Sequence, residues 1–234
     1  SLKYVYNIAL YGHYAYLLAG NKGLKIVDLA EPVHPLLVRE YLIQGSAKDI
    51  VFNENYAYLA NGSTGFRILD VTDPVYPIET GFIDSLGNTV SVALSGHVAG
   101  AIQDRKGFYL IDISDKANPS VLAFVPTPGR AQAIAMEGNT VYVADDNGLK
   151  IYDMTNPRAP SEIGAFKKAY QVSDVRLHQN KVYLGDGSNG LIIVDVADKA
   201  NPKEIGRFDT GWYAQDMAFD GDHICIADGH NGIY

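Results

Sequence analysis

The 234-residue sequence repeats itself, and the repeat limits the fold more than any other feature of the chain. GLKIVD begins at Gly23, GFRILD at Gly65, GFYLID at Gly107, GLKIYD at Gly148 and GLIIVD at Gly190, with Gly232-Ile233-Tyr234 opening a sixth copy. Asp28, Asp70, Asp112, Asp153 and Asp195 close the apolar runs, and each is followed seven residues later by a proline: Pro35, Pro77, Pro119, Pro160 and Pro202. The glycines recur with a period of about 42 residues, and self-similarity at a fixed period of this size is the mark of a repeat architecture.

One repeat reads as four strands. In the fifth, VSDVRL (172–177) alternates, and KVYLGD (181–186) follows after a short turn. GLIIVDV is nearly continuous in apolar character, as a strand buried on both faces would be. KEIGRFD (203–209) is a more polar fourth strand. Glycine in the second-to-third loop supplies the positive φ of a tight turn. A nearby Asp or Asn bonds its own backbone. Proline at the start of the outermost strand is tolerated because that edge needs no ladder partner. Repeat four drops one residue within its loop, ADDNG against ANGSTG, where variation is cheapest.

Four antiparallel strands in every repeat predict an all-β fold, a β-propeller of six or more blades. The predicted blades are 1–44, 45–86, 87–128, 129–169, 170–211 and a partial 212–234, all within one domain. A β-helix has shorter coils, and a sandwich does not repeat its loops. The sixth repeat stops inside its third strand, which would leave ladder groups unpaired. The expectation is therefore a longer chain, or a neighbouring molecule that completes the blade through an open sheet edge.

No Trp-Asp pair, kelch double glycine or Ser-x-Asp-x-Gly-x-Thr-Trp box recurs. The segments GLIIVDV, GLKIVDL and GFRILDVTDPVYP, preceded by YAYLA or VYVAD, instead resemble the LVIVD-repeat family, and the resemblance runs the length of the chain. It implies a β-propeller and a bacterial or archaeal protein of the cell surface or extracellular space. It implies no catalytic residues.

Composition narrows the partners. A net charge of −8, from 27 acidic and 19 basic residues without a basic cluster, disfavours nucleic acid. No apolar stretch reaches the roughly 18–20 residues that span a bilayer. The single cysteine, Cys225, rules out an intrachain disulfide. It occupies the position of Tyr16, Tyr58, Tyr142 and Tyr183, and is expected in the core.

Candidate chemistry is sparse. The six histidines are scattered, and His13 and His97 share a turn position with Asn55, Asn139, Asn180 and Asp222. Asp145, Asp186 and Asp228 lie in second-to-third-strand loops such as DGSNG and DGHNG. They are candidate calcium ligands, although no closing bidentate Glu follows; no other cofactor is expected.

The repeats disagree just ahead of each first strand, where specificity would be written. Tyr4, Ser46, Asn88, Arg130, Gln171 and Tyr213 share one position, and Lys3, Gly45, Gly87, Gly129, Tyr170 and Trp212 the position before it. Tyr4, Arg130, Tyr170, Trp212 and Tyr213 are thus candidate ligand contacts. Asp49, Asp174 and Asp216 open first strands, with Asn7 in the first repeat. They either bond neighbouring backbone N–H groups or form an acidic funnel for a polar ligand.

Aromatics beside carboxylates suit sugar rings and peptide side chains alike. The function expected is a non-catalytic binding or assembly module for protein or carbohydrate. One alternative is a polysaccharide hydrolase or lyase using those carboxylates as acid and base. Another is a structural protein assembling from copies of itself.

Overall fold

The computed structural model describes residues 5–234, and 22 strands dominate them. Sheet one comprises Asn7–Tyr11, Tyr14–Leu18, Leu24–Asp28 and Leu36–Tyr41; sheet two Asp49–Asn53, Tyr56–Ala60, Phe66–Asp70 and Ile78–Ile83. Sheet three comprises Thr89–Ser95, Val98–Gln103, Gly107–Asp112 and Ser120–Pro126; sheet four Ala133–Glu137, Thr140–Asp145, Gly148–Asp153 and Ser161–Phe166. Sheet five comprises Asp174–His178, Lys181–Gly185, Leu191–Asp195 and Lys203–Phe208; sheet six has two strands, Asp216–Asp220 and His223–Ala227. In each sheet the strands lie side by side in chain order.

Two compact units result. One holds the residues up to Gln103 together with Ile111–Val121, the other Asp104–Leu110 together with Leu122–Tyr234. The division passes through the third sheet.

The same register recurs from sheet to sheet. Tyr11 pairs with Tyr14, Asn53 with Tyr56, Glu137 with Thr140, His178 with Lys181 and Asp220 with His223, so each first hairpin closes on two residues. The third and fourth strands slip register once, at Ile26/Val27, Ile68/Leu69, Ile151/Tyr152 and Ile193/Val194. An extra residue there bends the outer strand and raises its twist. Past the slip, the Oδ1 of Asp28, Asp70, Asp112, Asp153 and Asp195 accepts the N–H two residues on, the expected turn chemistry.

The repeating glycine carries a second constraint. A Cβ on Gly23, Gly65, Gly107, Gly148 or Gly190 would fall closer than 3.0 Å to the fourth-strand carbonyl of Tyr41, Ile83, Val125, Phe166 or Phe208. Positive φ and this contact together leave no room for a side chain.

Within each unit, sheets pack through second-strand tyrosines. Tyr16 is fully buried, meets Phe52 of the next sheet edge-on and donates its hydroxyl to the Pro74 carbonyl (2.5 Å). Tyr183 meets Phe219 in the same way. Cys225 departs from expectation and is exposed. The equivalent tyrosines are covered by the first strand of a following sheet, and among the described residues none lies over this face. The strands also begin later than expected in repeat five, at Asp174. Ser173, just ahead of it, still donates its N–H to Gly185 O (2.8 Å), while its hydroxyl donates to Ala214 O (2.6 Å).

Candidate functional site

The loops ahead of the first strands are held by the loops between second and third strands. Gly20 bridges Ala47, Gly62 bridges Thr89 and Gly187 bridges Ala214, each pair antiparallel and joining one sheet to the next within one unit. The variable residues therefore sit on fixed backbone. Tyr4 lies outside the described residues. Arg130 Nε donates to Asp104 Oδ1 (3.1 Å), so its charge is partly spent on a loop of the same unit.

Tyr170 and Trp212 stand at one repeat position on consecutive sheets, with 64% and 54% of their surface exposed. The Tyr170 loop is clamped from below. Asp186 Oδ1 accepts the N–H groups of both Tyr170 (2.8 Å) and Gln171 (2.7 Å), and Asn189 Nδ2 donates to its other oxygen (3.0 Å). Asp228 accepts the Thr210 hydroxyl (2.5 Å) and the Asn231 amide (3.1 Å). The Trp212 ring lies against Gly229 and edge-on to His230, with centroids 5.7 Å apart. Half-buried Tyr213 lies against Gly187. Both glycines have positive φ, and neither could carry a Cβ beneath its ring.

The proposed calcium ligands are thus loop clamps. Asp145, Asp186 and Asp228 are fully buried. Asp145 Oδ1 accepts the Asn147 N–H (2.7 Å), and burial raises its carboxyl above the ordinary carboxylate range. Among the described residues, no group of three or more His, Cys, Asp or Glu is arranged to hold a metal.

The strand-opening carboxylates act as clasps between sheets. Asp49 Oδ1 accepts from Asn7 Nδ2 (2.8 Å) and Ile50 N (2.9 Å), while its Oδ2 accepts from Ser91 Oγ (3.0 Å) and Val92 N (2.9 Å). One carboxylate thereby links three sheets. In the second unit, Asp174 accepts from Val175 N (2.9 Å), Met217 N (2.9 Å) and Arg176 Nε (2.9 Å), and Arg176 Nη2 reaches Asp216 (2.8 Å). Arg176 escaped sequence reasoning. The signal was present: the other repeats place Ala9, Val51, Ala93, Ala135 and Ala218 there, and only this one carries a charge.

Burial pushes the Asp174 carboxyl up to about 7, against the pull of Arg176 and with a further push from Asp216. The folded value lies above the unfolded value of about 4. Between those two pH values the unfolded chain ionises Asp174 while the folded chain keeps the proton, so stability falls as pH rises through the window and levels off above it. Wild type should lose stability relative to Asp174→Asn between pH 4.5 and 7.5, measured by urea unfolding. A constant difference across that range would rule the shift out.

These features define a repeat protein of consecutive antiparallel sheets in which side chains of the first strands clasp neighbouring sheets. The LVIVD repeat matches residues 3–43, 44–85, 86–127, 128–168, 171–210 and 211–234, and the chain belongs to that family. Similar solved structures share the fold at low identity. A protein from Lactobacillus plantarum is 13% identical with a TM-score of 0.81, over 97% of this chain and 78% of its own. A functionally unknown protein from Desulfotomaculum acetoxidans is 15% identical with a TM-score of 0.79, over 97% and 80%. The computationally designed Ika8 protein is 11% identical with a TM-score of 0.75, over 98% and 69%. No curated protein matches the chain. No helix of the described residues is long and apolar enough to cross a membrane.

Proposed function

We propose that the sheets are blades of a single β-propeller domain and that the chain is a non-catalytic binding module of the cell surface or extracellular space. Its contact face is the loops ahead of the first strands, with Tyr170, Trp212 and Tyr213 at the centre. The carrying observation is the exposure of two large rings at one repeat position, where three other repeats hold Gly45, Gly87 and Gly129. Apolar rings standing in water on clamped backbone lose little entropy when a ligand covers them, and their flat faces suit sugar rings or peptide side chains. The non-catalytic reading draws on the carboxylates. Asn7, Ile50, Ser91 and Val92 of the fold itself donate to Asp49, and Asp174 is buried among donors from Val175, Arg176 and Met217.

Glycan and peptide arrays probed with the chain test this reading. Trp212→Ala and Tyr170→Ala should each weaken capture by roughly tenfold or more, as truncating an aromatic anchor does. Their thermal midpoints should stay near wild type, because both rings are largely exposed. Equal capture by wild type and both variants, or no capture by wild type, would overturn it.

A further inference from the structure

The loop that carries Tyr170 also carries charges that select a class of ligand. It runs Lys167-Lys168-Ala169-Tyr170-Gln171 from the fourth sheet towards the fifth. At the two lysine positions the other connections place Leu42-Ile43, Asp84-Ser85, Pro126-Thr127 and Asp209-Thr210, so this loop alone opens with cations. Both lysines are exposed, and neither enters an ion pair among the described residues. Lys25 and Lys150, by contrast, are spent on Glu40 and Glu162. Arg207 of the fifth sheet adds a third cation. Its Nη2 donates to the Lys168 carbonyl (3.4 Å), while its charge is shared with Glu204.

Negative charge nearby is already occupied. Asp186 beneath the loop is fully buried with donors on both oxygens, and Asp209 on the Trp212 loop accepts the Gly211 N–H. A chain of net charge −8 thus places two unpaired cations beside an exposed ring. A polar seat joins this ring to the next loop. A Cβ on Gly187 would lie 3.0 Å from Gln171 Oε1 and 2.9 Å from the Tyr213 ring. That glycine therefore brings the Gln171 amide of one loop and the Tyr213 ring of the following loop to one point.

We propose that this surface binds an acidic polysaccharide, whose sugar rings lie on Tyr170 and Tyr213 while carboxylate or sulfate groups face Lys167 and Lys168. The inference rests on the contact face proposed above and names the class of its ligand. Flat aromatic rings take the C–H faces of sugars, and the Gln171 amide both donates to hydroxyls and accepts from them. Rings on consecutive loops offer similar contacts in series, which suits a polymer of repeating units. Exposed lysines add modest affinity, speed the encounter with a polyanion and are screened by salt.

Affinity electrophoresis of the whole chain tests this with two matched pairs: polygalacturonate against its methyl ester, and dextran sulfate against dextran. Each pair keeps the sugar ring and removes the charge, and the two pairs separate carboxylate from sulfate recognition. At least one polyanion should be retained at low salt, roughly tenfold more tightly than its neutral form. Replacing both lysines, Lys167→Ala with Lys168→Ala, should weaken that binding roughly fivefold and flatten its salt dependence. The thermal midpoint of this double variant should stay at the wild-type value. Tyr170→Ala should weaken the same binding roughly tenfold whatever the salt.

Equal retention of charged and neutral forms, or tighter binding of polyglutamate than of either polysaccharide, would overturn the inference and leave the contact face standing. So would failure of both polyanions to bind while the arrays show capture that depends on Tyr170 and Trp212. Polyanion binding that is unchanged in Tyr170→Ala and Trp212→Ala would be ion exchange by the lysines, and would overturn both readings.

Discussion

Gly148→Ala is expected to lower the stability of the fold by about 2–6 kcal/mol, the sum of two independent costs. Gly148 has φ of +112°, where a residue with a Cβ pays about 1–3 kcal/mol of backbone strain. Its Cβ would also overlap the Phe166 carbonyl oxygen, a ladder acceptor that cannot move without breaking the outer strand's pairing. Overpacking of this kind costs typically about 1–3 kcal/mol. Since 1 kcal/mol shifts the midpoint of a chain this size by about 2–4 °C, a fall of about 10 °C is the expected reading. Gly206→Ala is the control. Gly206 lies in an ordinary strand conformation, and a Cβ there would meet only Ile193 of its own sheet, at 3.4 Å. That substitution should move the midpoint by less than about 2 °C, roughly the effect of 0.5 kcal/mol. Equal losses in the two variants would mean that the recurring glycine is not held by the fourth-strand carbonyl.

The glycine also shows how far the sequence could be read. Its period revealed the repeat, and the Asp seven residues before each Pro revealed the third-to-fourth turn. Both are local signals, set by the backbone within a few residues. The carbonyl that excludes a side chain belongs to the far end of the next strand, Phe166 against Gly148, beyond what a turn rule can see. Carboxylate roles were less legible for the same reason. Asp186 reads as a loop acid, and only the folded chain shows it facing the N–H groups of Tyr170 and Gln171. Cys225 stands at the aligned tyrosine position and is nevertheless exposed, because alignment assigns a residue to a position whereas burial needs a covering strand, and none of the described residues lies over it. The exposed rings of Tyr170 and Trp212 were found by the opposite route, from the repeats' disagreement, which marks positions the scaffold does not need.

Asp49→Ala should be strongly destabilising in the first unit, and it separates a structural carboxylate from a catalytic one. The side chain meets four donors, and two of them are backbone N–H groups on nearly buried residues, Ile50 and Val92. An N–H left unpaired away from water costs about 1–3 kcal/mol, so the two alone predict a loss of about 2–6 kcal/mol before the Asn7 and Ser91 bonds are counted. Asp49→Asn tests the geometry. Its single carbonyl oxygen can serve one pair of donors, while its amide faces the other pair with hydrogens of its own. The variant should recover less than half of the loss. Asn7→Ala removes one donor and leaves the remaining three bonds, so it should cost about 1 kcal/mol. Urea unfolding of the three variants would reveal this order. A carboxylate kept for acid–base chemistry would show another order, with Asp49→Asn folding as stably as wild type and losing only turnover. The hydrogen bonds argue for the clasp, because no oxygen of Asp49 is left without a donor from the fold.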